Sequence, residues 1–173
     1  MTELDKTELN NPDIRWRQRF DNFERAFRKL DLAVNTHNQM PDDELIAIAL
    51  IKSFEFTYEL GWKTLKDYLE YTGIEVKLPR EVIKQAFANE LVENGQIWIN
   101  MLEDRNLMAH TYIDERAKIA IDRIVNQYFS ALRSFQKKFI TFSESANGER
   151  DGFWIASSNS TTNQRLSLSL SPN

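Results

Sequence analysis

Apolar residues recur along the first part of the chain at spacings of two to four: Ile14, Trp16, Phe20, Phe23, Phe27, Leu30 and Val34. That period lays them on one stripe of a helix over several turns. Residues 1–13 ahead of the stripe read as a polar leader ending around Pro12, and Asn35 to Pro41 as a turn. Asp42 or Asp43 then offers an N-cap to a helix that opens with acids. That helix is expected to run to about Tyr71 and stop at Thr72-Gly73. With Leu45, Ile48, Ile51, Phe54, Tyr58, Trp62, Leu65 and Leu69 among its residues, it is apolar over much of its circumference, the mark of a central helix with many neighbours. Pro79 at a first helical position opens a shorter helix through about Leu91. Asn94-Gly95 punctuates, and Ile97, Trp98, Met101 and Leu102 form another apolar face. A last helix from about Asp114 carries Ile121, Ile124, Tyr128, Leu132, Phe135 and Phe139. Turn-bounded alternating strands are missing before residue 140. The expected fold is therefore all-α, an antiparallel bundle of about five helices over residues 14–143. Residues 144–173 hold 13 Ser, Thr or Asn among 30 and read as a disordered or loosely docked tail.

Composition narrows the class. The 173 residues suit one domain, and a 42% hydrophobic content with eleven Phe suits ample burial. Cysteine is absent, which excludes disulfides, thiolate metal sites and cysteine nucleophiles and fits a reducing compartment. The polar, acidic start M-T-E-L-D-K argues against a secretory signal, and the aliphatic run Ile46–Ile51 is too short to span a bilayer. A cytoplasmic protein with no membrane partner is expected. Net charge is −4, unlike a protein that coats nucleic acid. Yet residues 14–36 and 114–138 each carry six Arg or Lys against three acids, while 42–104 holds thirteen acids against six bases. If the two basic segments flank one site, an acidic protein would hold a local positive cleft. Solvated helix faces account for such charges equally well.

The stretch D-R-N-L-M-A-H-T-Y-I-D, from Asp104 to Asp114, holds the densest chemistry. Arg105, His110 and Tyr112 form an R-x4-H-x-Y pattern. Arginine forks onto phosphate oxygens, histidine moves a proton near neutrality, and tyrosine can orient either. Five residues apart on an unbroken helix, Arg105 and His110 diverge by roughly 140°. They converge only if the helix ends near Met108 or a second subunit completes the site. Each residue alone has a plainer reading. His110 would cap or pack a helix end, Arg105 would pair with Glu103 or Asp104, and Tyr112 would be half-buried packing. His37 reads as an exposed loop residue, and the two histidines lack zinc-ligand spacing, so no metal site is expected. Glu55 and Glu59 are four apart on the central helix and either face solvent along a narrow stripe or line a cleft, solvent being the simpler reading. Trp62 and Trp98 read as core.

From Ile14 to about Phe139 the chain resembles the HEPN superfamily, and within it the HepT-like proteins long labelled nucleotidyltransferase substrate-binding proteins. The resemblance rests on I-R-W-R-Q-R-F-D-N-F at 14–23, F-E-F-T-Y-E-L-G-W-K-T-L-K-D-Y-L at 54–69, P-R-E-V-I-K-Q-A-F at 79–87 and M-L-E-D-R-N-L-M-A-H-T-Y at 101–112. The last block is similar to that family's Arg-His-Tyr signature. The resemblance implies a helical homodimer with two Arg–His pairs facing one cleft, RNA cleavage without metal or cofactor, and no DNA substrate. It also implies a cognate minimal nucleotidyltransferase as antitoxin, which silences the toxin by passing AMP to the motif tyrosine. Carried onto this sequence, Arg105 and His110 would be catalytic, Tyr112 the AMP acceptor, and Asp104 and Glu55 supporting groups. The alternative is a non-catalytic nucleotide- or substrate-binding subunit of that nucleotidyltransferase.

Overall fold

The computed structural model describes residues 12–108 and 115–145. The expected leader before Pro12 and tail after residue 145 lie outside the described residues. The chain divides into two compact units, Met1–Lys137 and Lys138–Asn173. In the second, residues 138–145 are helical, and the rings of Phe139 and Phe142 meet edge-on at 5.4 Å.

The first unit holds α1 (Pro12–Gln39), α2 (Glu44–Tyr71), α3 (Pro79–Ala88), α4 (Gly95–Met108) and α5 (Glu115–Arg123). A π-helical turn, Ile124–Tyr128, follows α5 directly, and helix resumes over 129–137. The described residues contain no strand, as the all-α expectation requires.

α1 begins with Pro12, whose missing N–H costs nothing in a first turn. It continues five residues further than its apolar stripe. The Asn35–Gln39 segment expected as a turn is helical, with Thr36 Oγ1 bonding back to the Leu32 carbonyl at 2.8 Å. Polar side chains do not by themselves end a helix; Pro41 does, by disfavouring helical geometry at the residue before it. Asp43 caps α2 by accepting from the N–H groups of Leu45 (2.9 Å) and Ile46 (3.2 Å). The helix closes at Thr72, with Gly73 in the left-handed region at φ +89°. α3 ends at Ala88, three residues short of expectation. Its terminal left-handed position is Glu90 at φ +58°, and the N–H of Leu91 bonds back to the Ala86 carbonyl at 2.7 Å. Asn94 accepts from the Ile97 N–H at 3.1 Å and opens α4.

As its all-round apolar surface requires, α2 touches α1, α3, α4 and α5. Gly61 lets the layers close: a Cβ there would meet Trp98 at 3.2 Å and Phe23 at 3.4 Å. Phe135 joins the same cluster edge-on to Phe23 (4.8 Å) and Trp98 (5.4 Å), and Phe27 stacks on Phe129 at 5.4 Å. The far end of the α1–α2 pair is tied by charge. Asp67, only 3% exposed, has the Nε atoms of Arg15 and Arg19 at 3.1 and 2.6 Å, close but not aligned as hydrogen bonds. Arg15 and Lys66 also both pair with Glu70.

Candidate functional site

Asp104 and Arg105 lie in the last turns of α4, one turned inward and the other outward. Asp104 is 7% exposed and fully engaged. Arg123 Nη1 donates to both its oxygens at 3.1 Å, and the Tyr128 hydroxyl donates to Oδ2 at 2.5 Å. The two donors are five residues apart and would sit roughly 140° from each other on a regular α-helix. The π turn between them removes that divergence. The N–H of Phe129 reaches back five residues to the Ile124 carbonyl, so Arg123 and Tyr128 share a face toward α4. Burial first, then the hydrogen bond to the Asp104 carboxylate, push the Tyr128 phenol well above its ordinary range. Contact with Asp104 likewise raises Arg123. Neither group titrates near neutrality; this trio is a fixed clamp between α4 and the last helix.

Arg105 points the other way. Its side chain is 37% exposed, its Nη2 lies 3.5 Å from Glu59 of α2, and its Nη1 donates to Asn106 Oδ1 at 3.1 Å. Neither expected partner holds it: Glu103 pairs with Arg80 at 2.9 Å, and Asp104 is occupied as above. Glu59 is the centre of a small charged group. Trp62 Nε1 donates to it at 3.0 Å, and Lys63 Nζ lies 2.7 Å away. Burial alone would raise its carboxyl. The hydrogen bonds from Lys63 and Trp62, and the charges of Lys63 and Arg105, outweigh that and hold it below the ordinary 4.5. Beneath it, burial and the Glu59 charge push the Tyr58 phenol far up, and its hydroxyl donates to the Trp98 carbonyl at 3.3 Å. A half-exposed guanidinium, loosely held by one carboxylate, keeps N–H groups for an incoming anion.

Several sequence expectations are thereby redrawn. Glu55 pairs with Lys52 at 2.7 Å, and its Oε1 is buried without a hydrogen-bond partner among the described residues. The acid brought to Arg105 is Glu59, one turn further on, and both acids are half-buried rather than solvent-facing. Trp98 is core as expected, but Trp62 is half-buried and serves Glu59. His37 sits in the last helical turn of α1, half-buried, not in an exposed loop. No set of three His, Asp or Glu suited to a metal occurs among the described residues. No described helix is long and apolar enough to cross a membrane. His110 and Tyr112 lie outside the described residues. Sequence reading counted Tyr128 in an apolar stripe and passed over Arg123 as its companion, because a period of 3.6 separates residues five apart. The remaining signal was one arginine ahead of Ile124 and Val125 in the apolar stripe of the last helix.

Three comparisons bear on the chain. The sequence pattern of the family described as "Nucleotidyltransferase substrate binding protein like" matches residues 18–140. A protein named probable ribonuclease HepT, from Haemophilus influenzae, is 32% identical over 80 residues, covering 43% of this chain and 54% of that one. The chain thus spans about half the length of that relative. In shape the chain is similar to a tri-AMPylated HEPN toxin of Shewanella oneidensis, solved in complex with an MNT antitoxin. The TM-score is 0.60 at 12% identity, over 73% of this chain and 96% of that one. At that identity the likeness is one of fold.

Proposed function

Since the chain belongs to the nucleotidyltransferase substrate binding protein like family, we propose that it is the toxin of a toxin–antitoxin pair, a metal-independent ribonuclease acting as a cytoplasmic homodimer. Arg105 and His110 are its catalytic residues. A cognate minimal nucleotidyltransferase silences it by passing AMP to Tyr112. The observation that carries this reading is Arg105 itself. It is half-exposed at the end of α4, steadied by Glu59 rather than locked in a structural pair, at the head of the R-x4-H-x-Y pattern. The likeness to a probable ribonuclease and to the fold of a HEPN toxin supports it.

The chemistry follows from the residue types. One imidazole takes the proton of a ribose 2′-hydroxyl, whose oxygen attacks the adjacent phosphorus. The bond to the 5′-oxygen breaks as a second imidazole protonates it, leaving a 2′,3′-cyclic phosphate and a 5′-hydroxyl. Arg105 offsets the charge that builds on the phosphorane oxygens. A chain with one such histidine needs a second copy to supply separate base and acid. In the silencing step the Tyr112 oxygen bonds to the α-phosphorus of ATP and pyrophosphate leaves, placing a bulky anion where RNA would sit. Asp104 has a positioning role: its clamp to Arg123 and Tyr128 fixes the end of α4 from which Arg105 projects. Arg105→Ala and His110→Ala should each lower RNA cleavage by the purified chain by about 100-fold or more, the ordinary worth of such groups. Undiminished cleavage by both variants would overturn the assignment. The family description favours one rival, a non-catalytic subunit that presents substrate to a nucleotidyltransferase. Co-purification with that enzyme and no RNA cleavage in any condition would establish the rival.

A further inference from the structure

Between α1 and α2 lies an open groove of about 440 Å³ that none of the Asp104 clamp residues line. Its α1 wall presents Arg25 and Lys29, one turn apart on the same face. Neither cation has a carboxylate partner among the described residues, and no carboxylate lines the groove. The α2 wall presents Ser53, Phe56 and Leu60. Phe56 is 67% exposed, which puts an aromatic ring on the surface beside two cations of an acidic protein.

The groove and Arg105 flank the same ridge of α2. At 100° per residue, Leu60 lies roughly 40° to one side of Phe56 and Glu59 roughly 60° to the other. Leu60 lines the groove, while Glu59 holds Arg105 at 3.5 Å. Crossing the ridge, the surface therefore reads cation, aromatic, and then the Glu59–Arg105 ion pair, whose arginine keeps N–H groups facing outward. We propose that this row is a track for single-stranded RNA: Arg25 and Lys29 bind phosphates, Phe56 stacks an unpaired base, and the strand is led over α2 to Arg105. This rests on the ribonuclease reading and extends it, since it assigns substrate-binding residues outside the catalytic motif. A basic groove with a stacking ring suits a flexible strand, whose bases are free to leave the stack, and not a duplex. A second copy of the chain is the poorer occupant. Symmetric self-association would set this patch against itself, and a patch with cations and no acids offers itself no complement.

The test uses the full chain and a fluorescent 2′-O-methyl oligouridine, which cannot be cut by 2′-hydroxyl attack, with binding read by anisotropy across a salt series. Phe56→Ala should weaken binding about 5-fold or more, the loss of one stacked base, and Phe56→Tyr should restore it. Arg25→Gln with Lys29→Gln should flatten the log–log salt dependence by about 1.4, or 0.7 per lost phosphate contact. Leu78→Ala, which removes a comparably exposed apolar side chain elsewhere, should bind like the parent. A parent that cuts RNA while the groove variants bind and cut like it would overturn the track and leave the ribonuclease reading standing. A parent that neither binds nor cuts RNA would overturn both. Dissociation of the dimer by Phe56→Ala, with RNA affinity unchanged per chain, would assign the groove to a second copy and overturn the track. Loss of nucleotidyltransferase binding alone would likewise overturn it.

Discussion

Glu59 keeps its charge at a place where burial by itself would favour the neutral acid, because two donors and two cations converge on it. The consequence is a pH-dependent contribution with a definite sign. A carboxyl held below its ordinary value stabilises the fold above about pH 4.5, and that stabilisation fades as pH falls through the lowered value. Glu59→Gln, which keeps the shape and removes the charge, should therefore be less stable than the parent near neutrality. The group is part-exposed and screened, so the deficit should be about 1 kcal/mol or less. Urea unfolding at pH 7 and again near pH 3 checks this, and a deficit of equal size at both would contradict it. At this scale the sequence was legible by type more than by partner. The R-x4-H-x-Y pattern singled out Arg105, and the apolar surroundings of Glu55 and Glu59 were visible. Which of the two acids meets α4 depends on how α2 is rotated against it, and a period alone does not carry that rotation.

The helices were legible wherever a cap or a proline marked them, as at Asp43, Gly73 and Pro79. Two features without such marks deviated, and α1 ran on through its polar end until Pro41 stopped it. α3 turns back at Glu90, a left-handed residue with no glycine to announce it, and the π turn has no composition of its own. Yet the π turn decides which side chains of the last helix reach α4. It amounts to one residue inserted into an α-helix, with Arg123 and Tyr128 still sharing a face. Deleting the exposed Gln127 should therefore yield a regular helix that keeps both donors on Asp104 and costs about 1 kcal/mol or less, as surface changes do. Deleting the exposed Ser130, three residues on, has no inserted residue to absorb it. It would swing Phe135 about 100° away from Phe23 and Trp98 and cost about 3–5 kcal/mol, like the loss of a buried phenylalanine. Thermal melts of the two deletions compare them directly. Equal damage from both would mean that the π turn itself, and not the register after it, is what the fold needs.

For the whole molecule the question is how many copies make one catalyst. Each chain brings one arginine and one histidine in its motif, whereas in-line cleavage beside a ribose uses a proton acceptor and a proton donor at the same time. The second histidine of the chain offers no remedy within one copy: His37 lies in α1, with its Nδ1 buried and lacking a hydrogen-bond partner among the described residues. If two copies share one site, loss of a single imidazole disables the pair, and this separates a shared site from two independent ones by counting. Co-expression of parent and His110→Ala chains in equal amounts, with random pairing, leaves about one quarter of the dimers with both imidazoles. Cleavage per chain should then fall to about a quarter of the parent value if acid and base come from different copies, and to about a half if each copy works alone. A value of one half, with heterodimers confirmed by differential tags, would rule out the shared site while leaving Arg105 and His110 as catalytic residues of a single protomer.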